Sequence, residues 1–414
     1  MAIANFEEKF IKYAELVVKI GLNVQSGQKM IVRAETNTAP LVREITAIAY
    51  QIGSPLVTII WVDEQVKKIR HQYAPRDSFD EYASWVLDGI AQEIKEGAAF
   101  LQVASPDPEL LKGMDPEAVS TSRSVFAKHR KPIGELQGQN AVQWTVICPP
   151  TLDWAKHVFP EADMDAALES LWENVFTLCR LDQDDPVALW QKHIADLDER
   201  RKALTKKAYT GLHLRAPGTD LRLGLPAGHI WAGGGGKSSK GYPFVANIPT
   251  EEVFTLPHKD QTEGMVSSTR PLSYYGNMIE NFSLTFSKAK VVKLSAEKGE
   301  DVLREMVETD GTAGFLGEVA LLPHQSPISQ SNIVFLNSLY DENASCHLAL
   351  GSAYKFNLEG GPAMSNEEFA EVGGNTSLIH VDFMFGSGEL DVDGIRADGT
   401  TEPVMRAGEW AFDL

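Results

Sequence analysis

Carboxylates and imidazoles occur in unusual surroundings in the second half of the chain. NIPTEEVF (247–254) carries Glu251 and Glu252 after a proline, at the expected start of a strand. GFLGEVALL (314–322) sets Glu318 between a glycine and an apolar run. DENASCHLALGSAY (341–354) carries Asp341, Glu342, His347 and Tyr354, and LIHVDFMFG (378–386) places His380 and Asp382 two apart in an otherwise apolar strand. Side chains two apart on a strand share a face. His380 and Asp382 therefore converge, with Val381 and Phe383 on the other side. A buried imidazole beside a buried carboxylate needs a hydrogen bond or a metal ion, and the HVD triplet alone is compatible with either.

Glu252, Glu318 and His347 in comparable apolar or turn contexts favour the metal. Oxygen and imidazole donors suit zinc, manganese or cobalt, and less often magnesium. Several carboxylates with two histidines exceed what one tetrahedral ion uses. Two ions roughly 3.5–4 Å apart, sharing a carboxylate, fit the supply. Such a pair can bind and deprotonate water, polarise a peptide carbonyl and hold a free amino group, the three tasks of an aminopeptidase. Glu342 falls in an expected turn, where its direction cannot be read. Glu251 faces away from Glu252 on a regular strand, as a surface or supporting glutamate. A bulge there would let it serve as the general base. His258 and Arg270 flank these segments, either as turn or pairing residues or as lining of a cleft. Cys346 beside His347 suggests a thiol–imidazole dyad, but neighbours on a strand face opposite ways. No HExxH occurs, which excludes the helical single-zinc protease design. His71, His129, His157, His193, His213, His229 and His324 have no clustered partners in the sequence.

The elements that must position these residues differ between the two halves. In the first, Phe10, Tyr13, Ala14, Val17 and Ile20 follow helical spacing up to Gly21. Short β-branched runs at 29–34, 56–61, 98–105 and 142–150 alternate with helical stretches such as Pro40 to Gly53. That alternation predicts an α/β domain with a mostly parallel sheet, over 1–190. No GxGxxG follows a strand, so a dinucleotide site is unsupported. WAGGGGKSSKG (231–241) lacks the spacing and the following helix of a phosphate loop and reads as a flexible loop. From about residue 191 to 414 short alternating strands dominate: 212–216, 220–225, 284–294, 333–337 and 378–386. They predict a mainly β (α+β) catalytic domain, sandwich- or barrel-like, with a helix at 299–309.

The composition excludes several classes. With 38 basic and 57 acidic residues the net charge is −19, the wrong sign for nucleic acid or an anionic membrane. The three cysteines are far apart and form no CxxC pair, which suits a reducing compartment. The first residues read as an amphipathic helix and not as a signal peptide, and no run approaches the roughly 20 apolar residues of a membrane span. A cytoplasmic protein is expected.

Five ordered blocks, NIPTEEVF, PHKDQTEGMVSSTRPL (257–272), GFLGEVALL, ENASCHLALGSAY and IHVDFM, resemble the signature segments of the M29 metallo-aminopeptidases. The resemblance covers nearly the whole chain. It implies a homodimer, two divalent metals per subunit, and broad removal of residues from peptides with a free N-terminus. It further implies Glu252, Glu318, His347, His380 and Asp382 as metal ligands, Glu318 as the bridge, and Tyr354 as the active-site tyrosine. Glu342 joins the ligand candidates, and Glu251 and Tyr354 are the catalytic ones. Two rival readings remain: a dinuclear hydrolase of another amide or ester, and a non-enzymatic module whose metals are structural.

Overall fold

The computed structural model describes residues 3–274 and 277–412. The chain forms two compact units, Met1–Lys192 with Gly235–Pro249, and His193–Gly234 with Thr250–Leu414. The first holds a five-stranded sheet in the order Asn247–Ile248, Trp144–Ile147, Ala99–Val103, Met30–Glu35, Val57–Val62, with every pairing parallel. Ala99–Val103 is buried at every position, as expected of a parallel strand covered on both faces. Between strands the chain crosses over in helices such as Ala39–Ile52. Pro40 starts this helix, Leu41, Ile45 and Ile48 are buried, and Gly53 ends it at φ 104°. The expected α/β character of this half is what the structure has.

The second unit is built on two antiparallel sheets. One has eight strands, from Lys290–Ser295 at one edge to Glu409–Trp410 at the other. The second has five, in the order His380–Met384, His347–Gly351, Leu316–Leu321, Val253–Thr255, Ala232–Gly233. One hydrophobic cluster takes side chains from both, including Leu212, Leu221 and Leu284 from the larger and Val319, Leu348 and Phe383 from the smaller. The helix expected at 299–309 spans Glu300–Val307.

Two strand expectations are corrected. The run 284–294 is a hairpin, Ser283–Ser287 paired with Lys290–Ser295, turning through Lys288 and Ala289 at positive φ. The run 333–337 is not a strand. The Asp341 carboxylate accepts the Phe335 and Asn337 N–H groups at 2.7 and 3.0 Å, and Leu336 sits at φ 55°. Those amides are satisfied locally and have nothing to donate to a ladder.

Candidate metal centre

The five-stranded sheet has two unlike faces. Val253, Val319, Leu321, Leu348, Leu350, Val381 and Phe383 point into the hydrophobic cluster. The alternate positions carry the polar groups. In register, Glu318 lies opposite Ala349, and Ala349 opposite Asp382. One row over, Phe254 lies opposite Ala320, Ala320 opposite His347, and His347 opposite Met384. Directly opposed residues share a face. Fully buried Ala320 and Ala349 are thus the small floor over which the longer polar side chains lean together.

Glu318 reaches that face through a bulge. Leu316 pairs with Leu350, but Glu318 pairs with Ala349, so Gly317 is an extra residue in its strand. Without it, Leu316 and Glu318 would share a face, and the carboxylate would enter the hydrocarbon core. Only glycine fits: a Cβ on Gly317 would collide with the carbonyl oxygens of Gly351 and Ser352.

The donors form two groups that share Glu318. Ligand atoms of Glu252, Glu318 and His347 lie within 4.8 Å of one another, and so do those of Glu318, His380 and Asp382. Glu318 Oε1 is 3.5 Å from His347 Nε2, and its Oε2 is 3.7 Å from His380 Nε2. Glu252 Oε2 lies 3.0 Å from His347 Nε2, and Asp382 Oδ1 3.4 Å from His380 Nε2. The first group is deeply buried: Glu252 is 6%, Glu318 4% and His347 1% exposed. The second is more open, with the His380 and Asp382 side chains 21% and 17% exposed.

The outer hydrogen bonds orient both imidazoles. Nδ1 of His347 donates to the Ser345 carbonyl at 3.1 Å, and Nδ1 of His380 to the Ser352 carbonyl at 2.7 Å. A carbonyl can only accept, so each Nδ1 carries a proton and each Nε2 is free to turn a lone pair toward the carboxylates. Glu252 Oε2, Glu318 Oε2 and Asp382 Oδ1 are buried and make no hydrogen bond. Lone pairs converging on lone pairs require a cation between them, and this donor set fits a divalent one.

With no metal bound, protons must take that place. Burial pulls His380 down, but Asp382 and Glu318 outweigh it and push it up to about 10. Burial likewise opposes charge on His347, yet Glu252 and Glu318 raise it well above its ordinary value. Burial drives Glu318 up to about 7. Burial also pushes Asp382 upward but is outweighed by His380, which holds it below the usual carboxylate range. Glu342 stands outside both donor groups. Burial, followed by the charges of Glu252 and Asp382, raises its carboxyl well above the ordinary range.

The remaining candidates are placed as follows. Glu251 and Glu252 both precede the strand Val253–Thr255, so strand alternation does not govern them. Glu251 is buried, and its Oε2 lies 3.5 Å from His193 Nε2. His193, expected to lack partners, therefore has one, and it also donates to the Thr250 carbonyl at 2.8 Å. His157 and His213 likewise pair, with Asp107 at 3.0 Å and Asp220 at 2.6 Å. Asn343, which sequence reasoning passed over, is fully buried. It accepts the Glu251 N–H at 2.8 Å and donates to the Leu339 carbonyl at 3.0 Å. It thereby joins the segment of Glu252 to that of His347. The Tyr354 ring lies 4.8 Å from the His380 ring. Desolvation, then Glu318 and Asp382, push its phenol well above its ordinary value, so it remains an O–H donor. Arg270 donates to the Ile333 and Ser329 carbonyls at 3.1 and 3.0 Å, a structural role. His258 Nδ1 accepts the Asp260 N–H at 3.2 Å within its own turn. Cys346 belongs to the hydrophobic cluster, bonds to the Leu322 carbonyl at 3.2 Å, and is pushed up to about 11 by burial, unfit as a nucleophile.

The chain is similar to known proteins over nearly its whole length. The family model described as thermophilic metalloprotease (M29) matches residues 6–410. Aminopeptidase AmpS of Bacillus subtilis is 48% identical, covering 99% of this chain and 100% of its own length. Aminopeptidase T of Thermus thermophilus is 41% identical, over 98% of this chain and 99% of its own. The structure of wild-type AmpT from Thermus thermophilus matches with a TM-score of 0.93 at 40% identity, covering 98% of this chain and 100% of that one. The fold alone is shared with a dioxygenase of Pseudomonas putida, at a TM-score of 0.54 and 12% identity. The chain belongs to the M29 family of metalloproteases.

Proposed function

We propose that this protein is a two-metal aminopeptidase that removes residues of broad identity from the free amino end of peptides. One observation carries the reading: the two oxygens of Glu318 face different imidazoles, each of which has a further carboxylate beside it. Glu252, Glu318 and His347 would hold one ion, and Glu318, His380 and Asp382 the other. Divalent ions bound there would supply Lewis acidity toward water and the scissile carbonyl. Zinc, cobalt, manganese and magnesium are the candidates for such donors.

The protein's own groups do the rest. Tyr354 stays protonated and can donate its hydroxyl hydrogen to an oxygen on which charge develops. Two carboxyls outside the donor groups can take a proton from the attacking water, Glu342 and Glu251. Of these, Glu342 feels the charges of Glu252 and Asp382, while Glu251 lies against His193. Exchanging each for glutamine tells them apart, because the acceptor's variant loses kcat at full metal content.

A homodimer is the proposed assembly, on the strength of the family resemblance. The cytoplasm is the proposed setting: the three cysteines are buried and form no disulfide, and no helix among the described residues is long and apolar enough to cross a membrane. The test compares peptides with free and with acetylated amino ends, before and after chelation. Stepwise release from the free peptides alone, lost on chelation and restored by metal, is expected. Equal cleavage of the blocked peptides would favour another amide or ester hydrolase. A second unit that unfolds on chelation, with no turnover beforehand, would favour a structural metal.

A further inference from the structure

We propose that Phe254, Tyr354 and Phe356 form the subsite that receives the side chain of the substrate's N-terminal residue, and that within a broad range it favours large apolar residues. This rests on the aminopeptidase reading and adds to it a named recess and a preference.

The three rings touch one another. Tyr354 and Phe356 stack, with centroids 5.1 Å apart and planes 16° apart. Phe254 stands edge-on to both, at 6.2 Å from Tyr354 and 6.1 Å from Phe356. The cluster is held in place from behind. Asn357, buried, donates from Nδ2 to the Phe254 carbonyl at 3.2 Å and to the Ile230 carbonyl at 3.1 Å. This pins the segment Lys355–Asn357 to the strand Val253–Thr255.

None of the three is buried, and Tyr354 is 43% exposed. Aromatic surface left open is costly and marks a binding site when it adjoins polar chemistry. It does so here on two counts. The Tyr354 ring is 4.8 Å from His380, and Phe254 lies in the cross-strand row that continues through Ala320 to His347. The apolar patch thus borders both donor groups.

The geometry of a peptide assigns the occupant. A substrate bound through its amino group and first carbonyl has its first side chain branching between those two atoms. That side chain starts beside the donors, where the Tyr354 ring lies 4.8 Å from the His380 ring. The second side chain begins about 3.8 Å further along the backbone and, in an extended peptide, projects to the opposite side. The patch carries no charge of its own, so it favours leucine-like and aromatic side chains over small or charged ones.

The test uses the metal-loaded full chain with dipeptide amides in which the first and the second residue are varied separately. In Phe356→Ala the kcat/KM ratio of Leu-Ala to Ala-Ala should fall roughly tenfold. The ratio of Ala-Leu to Ala-Ala should move by less than about twofold. Phe254→Ala should act in the same direction. Phe356→Leu keeps apolar contact but loses the ring face, so it should retain leucine and lose phenylalanine preference. Phe356→Glu should raise Lys-Ala relative to Leu-Ala by roughly tenfold. Metal content and melting temperature, read on every variant, separate a lost subsite from a lost fold. Unmoved ratios in both alanine variants at full metal content would overturn the proposal, as would a change confined to the second residue. A wild-type chain inactive on every free-amine peptide would instead overturn the aminopeptidase reading, and the subsite with it.

Discussion

The two faces of the five-stranded sheet are made by the same strands and share one backbone, yet burial has opposite consequences on them. On one face Val319, Leu348, Leu350, Val381 and Phe383 enter the hydrophobic cluster, and each such side chain contributes about 1.5–3 kcal/mol. On the other, Glu252, Glu318 and His347 are buried just as deeply, and each unpaired charge there costs several kcal/mol. Alternate residues of a strand can therefore hold a fold together and work against it. Such a donor face is tolerable when protons or cations neutralise it, which is what a cation site requires.

Removing residues from each face in turn is the strongest way to break this contrast. Glu318→Ala takes one ligand from both donor groups. It should lower kcat/KM by about 10³-fold or more and abolish tight metal binding. The stripped variant should melt no lower than the stripped wild type, because a buried carboxyl has gone. Leu348→Ala, on the other face, should cost about 2–5 kcal/mol while each folded molecule keeps its metal. Paired calorimetry and metal analysis check both, and a Glu318→Ala protein that unfolds outright would erase the distinction between the faces.

Gly317 decides which face Glu318 occupies. Gly317→Ala should weaken metal binding by roughly 10–100-fold and cost about 1–3 kcal/mol of stability, as read by competitive chelation and denaturant titration. Full metal affinity in that variant would mean that the bulge does not set the carboxylate's direction.

The contrast is sharpened by pH. Asp382 and Glu318 hold a proton on His380 up to about 10 when no metal is present, and metal binding must expel it. Affinity should therefore rise with pH through neutrality, by about tenfold per unit for each proton displaced, and fall in acid. Titrations at about pH 6 and about pH 8 measure this, and equal affinities would contradict proton displacement.

The smallest expected effect concerns the approach to His380. The Asp310 carboxylate accepts the Leu378 N–H, the Ser377 hydroxyl, and the Thr312 N–H and hydroxyl, all at 2.7 Å. Burial pushes it up, but those four donors outweigh burial and hold it at about 2. A carboxyl lowered on folding stabilises above its unfolded value, near 4, and the gain disappears as pH falls through the folded one. Asp310→Asn should lose about 1–2 kcal/mol near neutrality and less in strong acid. Loss of the same amount at both ends of the range would mean that the charge is not what matters.

What was legible in the sequence follows from periodicity. His380 and Asp382 lie two apart on a regular strand, and period two alone brought them together. The parallel sheet was legible because its strands are continuous apolar runs. The position of Glu318 was not, since a bulge reverses the facing of every residue beyond it and leaves only one glycine as a trace. The relation of Glu251 to His193 was hidden because a residue on the helix Pro186–Lys207 meets an irregular segment far along the chain. The run 333–337 misled because its apolar composition suits a strand, while the Asp341 carboxylate that takes its amides lies beyond the run. Local patterns reveal what regular backbone determines, and long-range polar contacts remain silent until the chain is folded.

In the proposed two-metal centre one carboxylate, Glu318, joins two cation sites. The direct measurement is metal content per chain after saturation and desalting, in the wild type and in Asp382→Ala. Two ions in the wild type and one in Asp382→Ala, the survivor held by Glu252, Glu318 and His347, is the predicted result. A saturated wild type that retains a single ion, with Asp382→Ala unchanged from it, would contradict the account.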